Sequence, residues 1–486
     1  MIRWKCDNCN KVWIYPIKKC LYCRGSINRI EIKPKKIIGF TKVTIPSPLH
    51  PIVPYNIILL EDEEGNRLPR KTMREYKVGD EFIEEKAKTN NAVSIAKTKY
   101  DIYDAVKNAL ELINFEINPE SRILIKPNIV IPAYPYQAVC TNPKVVEAVI
   151  KLLLDKNINK ENISVAEQSV LGEDTMKAAA KSGILSVCKN HNIKFIDLAK
   201  TGFEEKITEG YKFKISKEVL NKDLIINIPV LKTHSQLGIS GALENMTRVV
   251  DIETQKEMSK ANPDKHIAYL NKEIKYLTIA DATIGMQATG PLLTGEPSFL
   301  NLILASRDPV ALDAVFCELG MLNMPNYIKT ADSSGVGNSN LKEIEIVGYE
   351  LEATKFELKK PSKNLSPNLR INVIDGRSYP GEYYALYSLL NRFGNLHIKK
   401  ANMAIGNSLN KEMLPEERLM AFGDNAIEKL KELKIKPMAE IKGDPPDLTE
   451  SYILLKKLLT KEGEVKINIF DRTKSKMMGK IKKLGG

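Results

Sequence analysis

The chain has 486 residues, of which 43% are hydrophobic and 27% are charged. This length is too great for one ordinary core and indicates about three globular domains. No apolar run reaches the roughly 18 residues of a membrane helix, and the first residues lack the apolar core of a secretion signal, so we expect no membrane contact and a cytoplasmic location. The net charge of +13 favours nucleic acids, acidic proteins or anionic small molecules as partners.

Four of the seven cysteines form two pairs near the start of the chain, Cys6-x2-Cys9 and Cys20-x2-Cys23. This spacing places two thiolate pairs on two short turns and predicts a tetrahedral site, for which zinc is the preferred metal. A rubredoxin-like iron site remains an alternative. Because four thiolates leave no coordination position for a substrate, the predicted metal is structural, and residues 1–32 are predicted to form a zinc ribbon.

Residues 33–88 contain short β-rich runs such as IIGFTKVTI and YNIILLE, separated by proline and glycine turns. Five such strands after a zinc ribbon predict a small OB-like β-barrel. With the positive charge, this barrel makes oligonucleotide binding a live hypothesis. The aromatic residues Phe40, Tyr55, Tyr76 and Phe82 fit either base-stacking platforms or the core of the barrel.

The four cysteines, the strings GFTKVTIPSP and PYNIILLE and the terminal KVGDEF resemble the zinc-ribbon and OB proteins of domain-of-unknown-function family 35. The resemblance covers about residues 1–88. It implies association with acyl-CoA chemistry, because family members work beside thiolase-like and acyl-CoA enzymes. A thiolase-like or acyl-CoA enzyme is therefore an expected partner.

Between residues 95 and 350, apolar strand-like runs alternate with amphipathic helical segments. This alternation predicts an α/β domain with a mostly parallel sheet and helices on its faces. Ligands of such sheets bind outside the carboxyl ends of the strands, so the residues that follow each strand are the informative ones.

Polar side chains follow several of these predicted strands. We expect them to converge on one crevice that binds an anionic small molecule, with Lys232 and His234 as the catalytic acid–base pair and the others binding substrate. His266 is a candidate to join His234, with Glu244 or Asp281, in a second metal site. The predicted substrate-binding residues are Lys126, Asn128, Glu167, Asp281, Arg307 and Asp308.

Two glycine-containing stretches, GISGALENM and IGMQATGPLLTG, offer backbone amides near the predicted crevice. Neither has the spacing of a phosphate-binding loop or of a dinucleotide-binding turn, which disfavours ATPase and dinucleotide functions. Asp308 precedes Pro309, so it fits a helix N-cap as well as it fits a ligand contact.

Four ordered motifs in this region resemble domain-of-unknown-function family 362: LIKPNIV with CTNPKVVEAVI, INIPVLKTHSQLGISGALENM, IADATIGMQATGP and ASRDPVALDAV. The resemblance implies no activity. Many family members carry ferredoxin-type cysteine clusters, and this chain has none in the matching region.

Residues 368–486 again alternate strand-like and helical runs and predict a smaller α/β unit that ends in a basic tail. No cysteine follows Cys317, which excludes an iron–sulfur cluster from the C-terminal third. The tail, DRTKSKMMGKIKKLGG, fits an RNA-binding segment or a solvated end.

The sequence as a whole predicts a multidomain protein that is an enzyme or a subunit of an enzyme complex, acting on an anionic, CoA-linked metabolite by an unknown reaction. One alternative is a nucleic-acid-binding protein that uses the OB barrel and the basic tail. Another is a non-catalytic scaffold of a thiolase-like complex.

Overall fold

A computed structural model describes most of the chain in two compact units, residues 1–363 and residues 364–486. Each unit is considered by itself. The basic tail at residues 471–486 lies outside the described residues. No helix within the described part of the chain has the length and apolar character needed to cross a membrane. The described residues are 2–13, 15–31, 35–47, 50, 52–98, 101–170, 173–260, 262–361, 370–393 and 398–460.

The first unit begins with a three-stranded antiparallel sheet in the order β2-β1-β3. Its core consists of Cys6, Trp13 and Cys20. A core this small cannot stabilise a fold without a cross-link or a metal. The strands are β1 (Ile2–Cys6), β2 (Val12–Trp13) and β3 (Ile27–Glu31).

A second antiparallel sheet follows, with strands β4 (Lys36–Val43), β5 (Tyr55–Glu61) and β6 (Arg67–Thr72) in chain order. The sequence predicted five strands here. The described residues form these three strands and an isolated bridge between Lys36 and Glu81, so closure into an OB barrel stays a prediction.

The aromatic residues of this sheet serve mainly as core. Tyr55 is buried, and Tyr76 and Phe82 pack against the hydrophobic cluster. Phe40 is 38% exposed. An extended row of base-stacking rings is therefore not formed by these four residues.

The largest element of the first unit is an 11-stranded sheet whose main path runs β10-β9-β8-β13-β16-β18-β7-β19. Every neighbouring pair on this path is parallel except the two pairs made by β18, which is antiparallel to both β16 and β7. The predicted fold class, small N-terminal sheets before a mostly parallel α/β sheet, is confirmed. The strands of this sheet are β7 (Val93–Lys97), β8 (Ile123–Pro127), β9 (Ile163–Glu167), β10 (Lys194–Asp197), β13 (Leu224–Ile228), β14 (Val230–His234), β15 (Gly238–Ser240), β16 (Leu277–Ala288), β17 (Gly295–Ser298), β18 (Leu302–Ser306) and β19 (Ile346–Gly348); β11 (Phe203–Thr208) and β12 (Tyr211–Ser216) form a separate hairpin.

Helices cover both faces of the sheet. The start of α2 shows how the local sequence sets an element boundary: the Asn142 side chain accepts a hydrogen bond from Lys144 N, and Pro143 occupies the first helical position. The helices of this unit are α1 (Ile102–Leu112), α2 (Pro143–Asp155), α3 (Thr175–Lys181), α4 (Ile184–His191), α5 (Lys217–Leu220), α6 (Ala242–Asn245), α7 (Ile252–Lys260), α8 (Pro263–Glu273), α9 (Pro309–Leu319), α10 (Asn326–Ser333) and α11 (Leu351–Thr354).

The second unit is a four-stranded parallel sheet in chain order, with apolar clusters on its two faces. Its strands and helices are β20 (Ile371–Gly376), α12 (Pro380–Phe393), β21 (Ala401–Gly406), β22 (Leu419–Phe422), α13 (Asp424–Glu432), β23 (Ala439–Ile441) and α14 (Leu448–Leu459). A helix follows each of β20, β22 and β23, which agrees with the smaller α/β unit that the sequence predicted.

Candidate functional site

The four N-terminal cysteines converge on one point. Their sulfur atoms all lie within 4.8 Å of one another, with 3.4 Å between Cys6 and Cys23 and 3.5 Å between Cys9 and Cys20. Four sulfur atoms bound to one metal ion at about 2.3 Å are separated by similar distances. The group can therefore bind a metal ion, and it is the one such group of His, Cys, Asp or Glu ligands in the part of the chain that the structure describes.

The two cysteine turns share one backbone design. The first cysteine of each pair accepts a hydrogen bond at its carbonyl from the residue four positions later, Asn10 or Arg24. Both of these residues have positive φ, 56° and 61°. In the second turn the amides of Tyr22 and Cys23 also donate to the Cys20 sulfur. These two amide bonds orient the Cys20 sulfur and favour its thiolate form, which is the form that binds metal.

Lys126 and Glu167 form a buried ion pair at the carboxyl ends of β8 and β9. Lys126 Nζ lies 2.9 and 3.1 Å from the two carboxylate oxygens and also donates to the carbonyl of Pro127. Both side chains are 1% exposed or less. Burial lowers the pKa of the Lys126 ammonium and raises that of the Glu167 carboxyl, and their mutual attraction opposes both shifts.

Asn128 and Asn245 connect this pair to the second predicted lysine, because Asn245 Nδ2 lies 3.5 Å from the Pro127 carbonyl that Lys126 also contacts. Asn128 Oδ1 accepts a hydrogen bond of 2.5 Å from Lys232 Nζ, and Asn128 Nδ2 donates to Asn245 Oδ1 at 2.7 Å. Asn245 in turn donates to Asn227 on β13. Residues from the four strands β8, β9, β13 and β14, from α6 and from the segment after β8 therefore form one continuous buried network.

Among the residues that the structure describes, Lys232 contacts no carboxylate directly. Its ammonium donates to Asn128 Oδ1 and to the carbonyl of Val139 at 2.7 Å, and both acceptors are neutral. Burial lowers the pKa of Lys232 to about 8, although Cys140, Glu244 and Glu167 oppose the shift. At neutral pH this group is a buried cation that can also give up its proton.

His234 ends β14 and is fixed by the turn that follows. Its Nδ1 accepts hydrogen bonds from the amides of Gln236 and Leu237, so the ring proton of the neutral form is placed on Nε2. Burial lowers the pKa of His234 to about 4, and the imidazole is therefore neutral at pH 7. Such a ring can donate a hydrogen bond from Nε2.

Glu244 and Arg248 form the half-buried side of the cluster. The Glu244 carboxylate accepts a 2.6 Å hydrogen bond from the Ser240 hydroxyl. Burial would raise its pKa, but the nearby His234 and Arg248 outweigh burial and hold the pKa below its usual value. Arg248 also donates to Gln255. Glu244 is therefore a carboxylate placed beside a neutral histidine and a guanidinium.

Asp281 lies inside β16 and not at the end of a strand, because β16 continues to Ala288. Its carboxylate accepts from the backbone and hydroxyl of Thr283 and from the amide of Asn142 at 2.7 Å. Asp281 therefore anchors the loop that leads into α2.

Arg307 and Asp308 do not join the lysine cluster, which corrects the prediction. The prediction assumed parallel strands, whereas β18 runs antiparallel to its neighbours. Its direction places these residues at the end of the sheet opposite to the carboxyl ends of the parallel strands. Arg307 donates to the carbonyls of Ile113 and Asn114. Asp308 is the N-cap of α9, accepting from Ala311 N at 2.9 Å.

His266 also lies away from the cluster. Its Nδ1 donates to the carbonyl of Asn262 at 2.8 Å, and its ring contacts Tyr211 and Phe213 at centroid distances of 4.6 and 6.1 Å. It packs α8 against the β11–β12 hairpin, and the predicted approach to His234 is wrong.

Sequence reasoning did not single out Arg248 or Asn227. Asn227 is a polar residue within an apolar strand, which is a sequence signal of a buried polar contact. Arg248 follows Glu244 by four positions, which is a signal that the two side chains share a helix face. Asp313 accepts hydrogen bonds from the amides of Ala242 and Leu243 and holds the start of α6; burial raises its pKa to about 7.

Residues 123–318 match the domain of unknown function DUF362. The predicted resemblance, made from four ordered motifs, is thereby confirmed for this region. The DUF362 region contains all of the buried cluster from Lys126 to Asp313. Its description assigns no activity.

The thylakoid-associated protein sll1697 of Synechocystis sp. is 24% identical over 215 residues. The match covers 43% of this chain and 65% of the length of that relative.

Two solved structures are similar to parts of the chain. A Ltp2-ChsH2(DUF35) aldolase matches 16% of this chain and 67% of its own, with 20% identity and a TM-score of 0.14. The lactate racemase apoprotein from Thermoanaerobacterium thermosaccharolyticum matches 79% of this chain and 93% of its own, with 12% identity and a TM-score of 0.31. At these scores neither structure carries an argument about function.

Proposed function

We propose that the protein is an enzyme, or the ligand-handling subunit of an enzyme complex, that binds a small anionic metabolite at the buried lysine cluster. Lys232 carries the proposal. Its ammonium is buried and donates to two neutral oxygens, whereas Lys126 is matched by Glu167. Among the described residues no carboxylate lies within ion-pair distance of Lys232. A buried cation without a direct counter-ion is a place where a bound anion is strongly stabilised.

The neighbouring groups suit proton transfer. Lys232, with its pKa of about 8, can act as an acid or a base near neutral pH. His234 presents a neutral imidazole with its proton on Nε2, and Glu244 and Arg248 lie on the half-buried side, where a substrate enters. In this proposal Arg248 takes the substrate-binding role that the sequence gave to Arg307.

The proposal also covers the chemical class of the bound anion and the partner protein. A CoA-linked metabolite is the first candidate, and a thiolase-like or acyl-CoA enzyme is the first candidate partner, docking on the N-terminal metal module. Leu21 and Tyr22 on the second cysteine turn are 58% and 71% exposed, which supports a contact surface there. Co-purification with the module intact and with Tyr22→Ser tests the partner.

A thermal-shift assay tests the anion site. The probes are acetyl-CoA, inorganic phosphate, malonate and succinate, and the proteins are the wild type, Lys232→Met and Lys151→Met. Lys151 is an exposed lysine on α2 that pairs with Glu147 and provides the matched control. We expect at least one probe to raise the Tm of the wild type and of Lys151→Met by several degrees, and not that of Lys232→Met.

Absence of any shift with all four probes, or equal shifts in Lys232→Met, would contradict the proposal. Retention of single-stranded RNA that falls steeply with salt and is unaffected by Lys232→Met would favour the nucleic-acid alternative.

A further inference from the structure

A cavity of about 350 Å³ lies between α1 and α2, outside the lysine cluster. Its floor is Ile226 on β13, and its walls come from the two helices and from the segment after α1. Because successive side chains of a strand point to opposite faces, Ile226 and Asn227 place the cavity and the lysine network on opposite faces of the sheet. The apolar lining residues are Leu110, Phe115, Val149, Leu152, Leu153 and Ile226.

The six apolar side chains that line the cavity favour an apolar ligand. All six of these side chains are at least nine-tenths buried. Their surfaces favour hydrocarbon over water, and protein interiors seldom keep apolar spaces of this size because the lining atoms lose packing contacts. At about 30 Å³ for a water-sized group, the cavity holds about a dozen non-hydrogen atoms.

The mouth of the cavity is polar and carries charges of both signs. The Tyr103 hydroxyl donates to Asp155 at 2.5 Å, and Lys107 lies 3.7 Å from Glu111. Lys156, the C-cap residue directly after α2, is exposed at the same mouth. Lys107 pairs with Glu111, whereas Asp155 keeps its charge because its Tyr103 partner is neutral; Lys156 is the exposed cation that a ligand head group meets.

The metal module braces this mouth. Arg29 on β3 lies 4.9 Å from the centre of the Tyr103 ring, and its guanidinium binds Asp104 at 2.6 Å. The wall that carries Tyr103 is therefore held from outside by the module, and the cavity is a built feature of the first unit.

We propose that this cavity binds the unbranched chain of a medium-chain carboxylate, with the hydrocarbon against the helices and the carboxylate at Lys156. The proposal is independent of the anion site at Lys232. The free acid and its CoA thioester share the same chain, and the experiment separates the two.

Isothermal titration with a series from butanoate to dodecanoate, at concentrations below micelle formation, tests the proposal. Burial of each methylene is expected to tighten binding by about fourfold until the chain fills the cavity, so affinity should rise and then level off near ten carbons. No binding of octanoate or decanoate, or a rise that continues without levelling off, would overturn the proposal.

Substitutions locate the site. Val149→Phe fills the cavity and should weaken octanoate at least tenfold while the Tm stays near that of the wild type. Lys156→Gln, an exposed change that leaves the core intact, should weaken octanoate several-fold and remove its advantage over octan-1-ol, whereas Lys151→Gln on the same helix should change neither. Unchanged octanoate binding in both Val149→Phe and Lys156→Gln would overturn the proposal.

Octanoyl-CoA distinguishes the sources. If octanoate binds and octanoyl-CoA does not, the ligand of the cavity is a free acid. If both bind and both are lost in Val149→Phe, the cavity binds the acyl chain of the free acid and of the thioester alike. Binding of octanoyl-CoA alone that persists in Val149→Phe would place the chain elsewhere and overturn the proposal.

Discussion

Lys126 and Lys232 are equally buried, but their partners give them different roles. Lys126 donates to both oxygens of Glu167 and to a carbonyl, whereas Lys232 donates to one amide oxygen and one carbonyl. The sequence placed both lysines at strand ends but did not show which one has a carboxylate partner, because Glu167 comes from a separate strand. The distinction rests on parallel pairing of β8 with β9.

Because Lys126 and Glu167 form a buried ion pair, we expect the loss of one charge to lower the free energy of unfolding more than the loss of both. Glu167→Gln leaves Lys126 charged and buried, so the free energy of unfolding should fall by about 3 to 5 kcal/mol. Lys126→Met with Glu167→Leu removes both charges and should cost less. Urea unfolding measures both, and the exposed pair Arg122–Asp223 is the control, because Asp223→Asn should change stability little. A double variant less stable than Glu167→Gln would contradict this account.

At the level of elements, the direction of β18 decides which predicted residues reach the site. Apolar runs predict strands but not their direction, which is why Arg307 and Asp308 were assigned to the crevice. The sequence did contain a signal: residues 289–301 between β16 and β18 have no helical pattern, whereas parallel neighbours need a crossover, usually a helix. The parallel strands β8, β9 and β13 were placed correctly, because helical segments lie between them.

The capping role of Asp308 predicts a stability effect without a binding effect. Asp308→Ala removes the acceptor for Ala311 N and Asn338 N and should lower the free energy of unfolding by about 1 to 2 kcal/mol. Anion-induced thermal shifts should match those of the wild type. Loss of the shifts in an Asp308→Ala protein of normal stability would restore Asp308 to the binding site.

At the scale of the whole molecule, the sequence predicted the types of domain better than it predicted which strands and long-range contacts complete each domain. The four-cysteine motif and the alternating α/β pattern each depend on local spacing, and both appear in the structure. The barrel depends on long-range closure of short strands, and the described residues contain three strands of the predicted five. The network around Asn128 is likewise long-range, since its partners Lys232 and Asn245 are more than a hundred residues away.

We propose that the metal bound by the four N-terminal cysteines is zinc and that it stabilises the fold of the N-terminal module. The purified protein should contain about one zinc ion per chain by mass spectrometry, and a chelator should remove hydrogen-exchange protection from β1 to β3 while the large sheet keeps its protection. The reason is that a core of Cys6, Trp13 and Cys20 is too small to fold alone. Bound iron would favour the rubredoxin-like alternative, and full protection without metal would contradict the structural role.

The titration of Lys232 also has a consequence for stability. Because burial holds the pKa of the folded state at about 8, below the 10.5 of an ordinary lysine, the folded protein binds fewer protons than the unfolded chain between these values. The free energy of unfolding should therefore rise with pH across that window, relative to Lys232→Met.

The most direct test of the central claim is the pKa of Lys232 itself. NMR titration of the lysine Nζ and Cε resonances, with Lys232→Met identifying the signal, measures it in the intact protein. We predict a pKa of about 8 that rises when an anion binds beside the ammonium. A pKa at or above that of an exposed lysine, unchanged by any of the anionic probes, would contradict the assignment of Lys232 as the buried cation of an anion site.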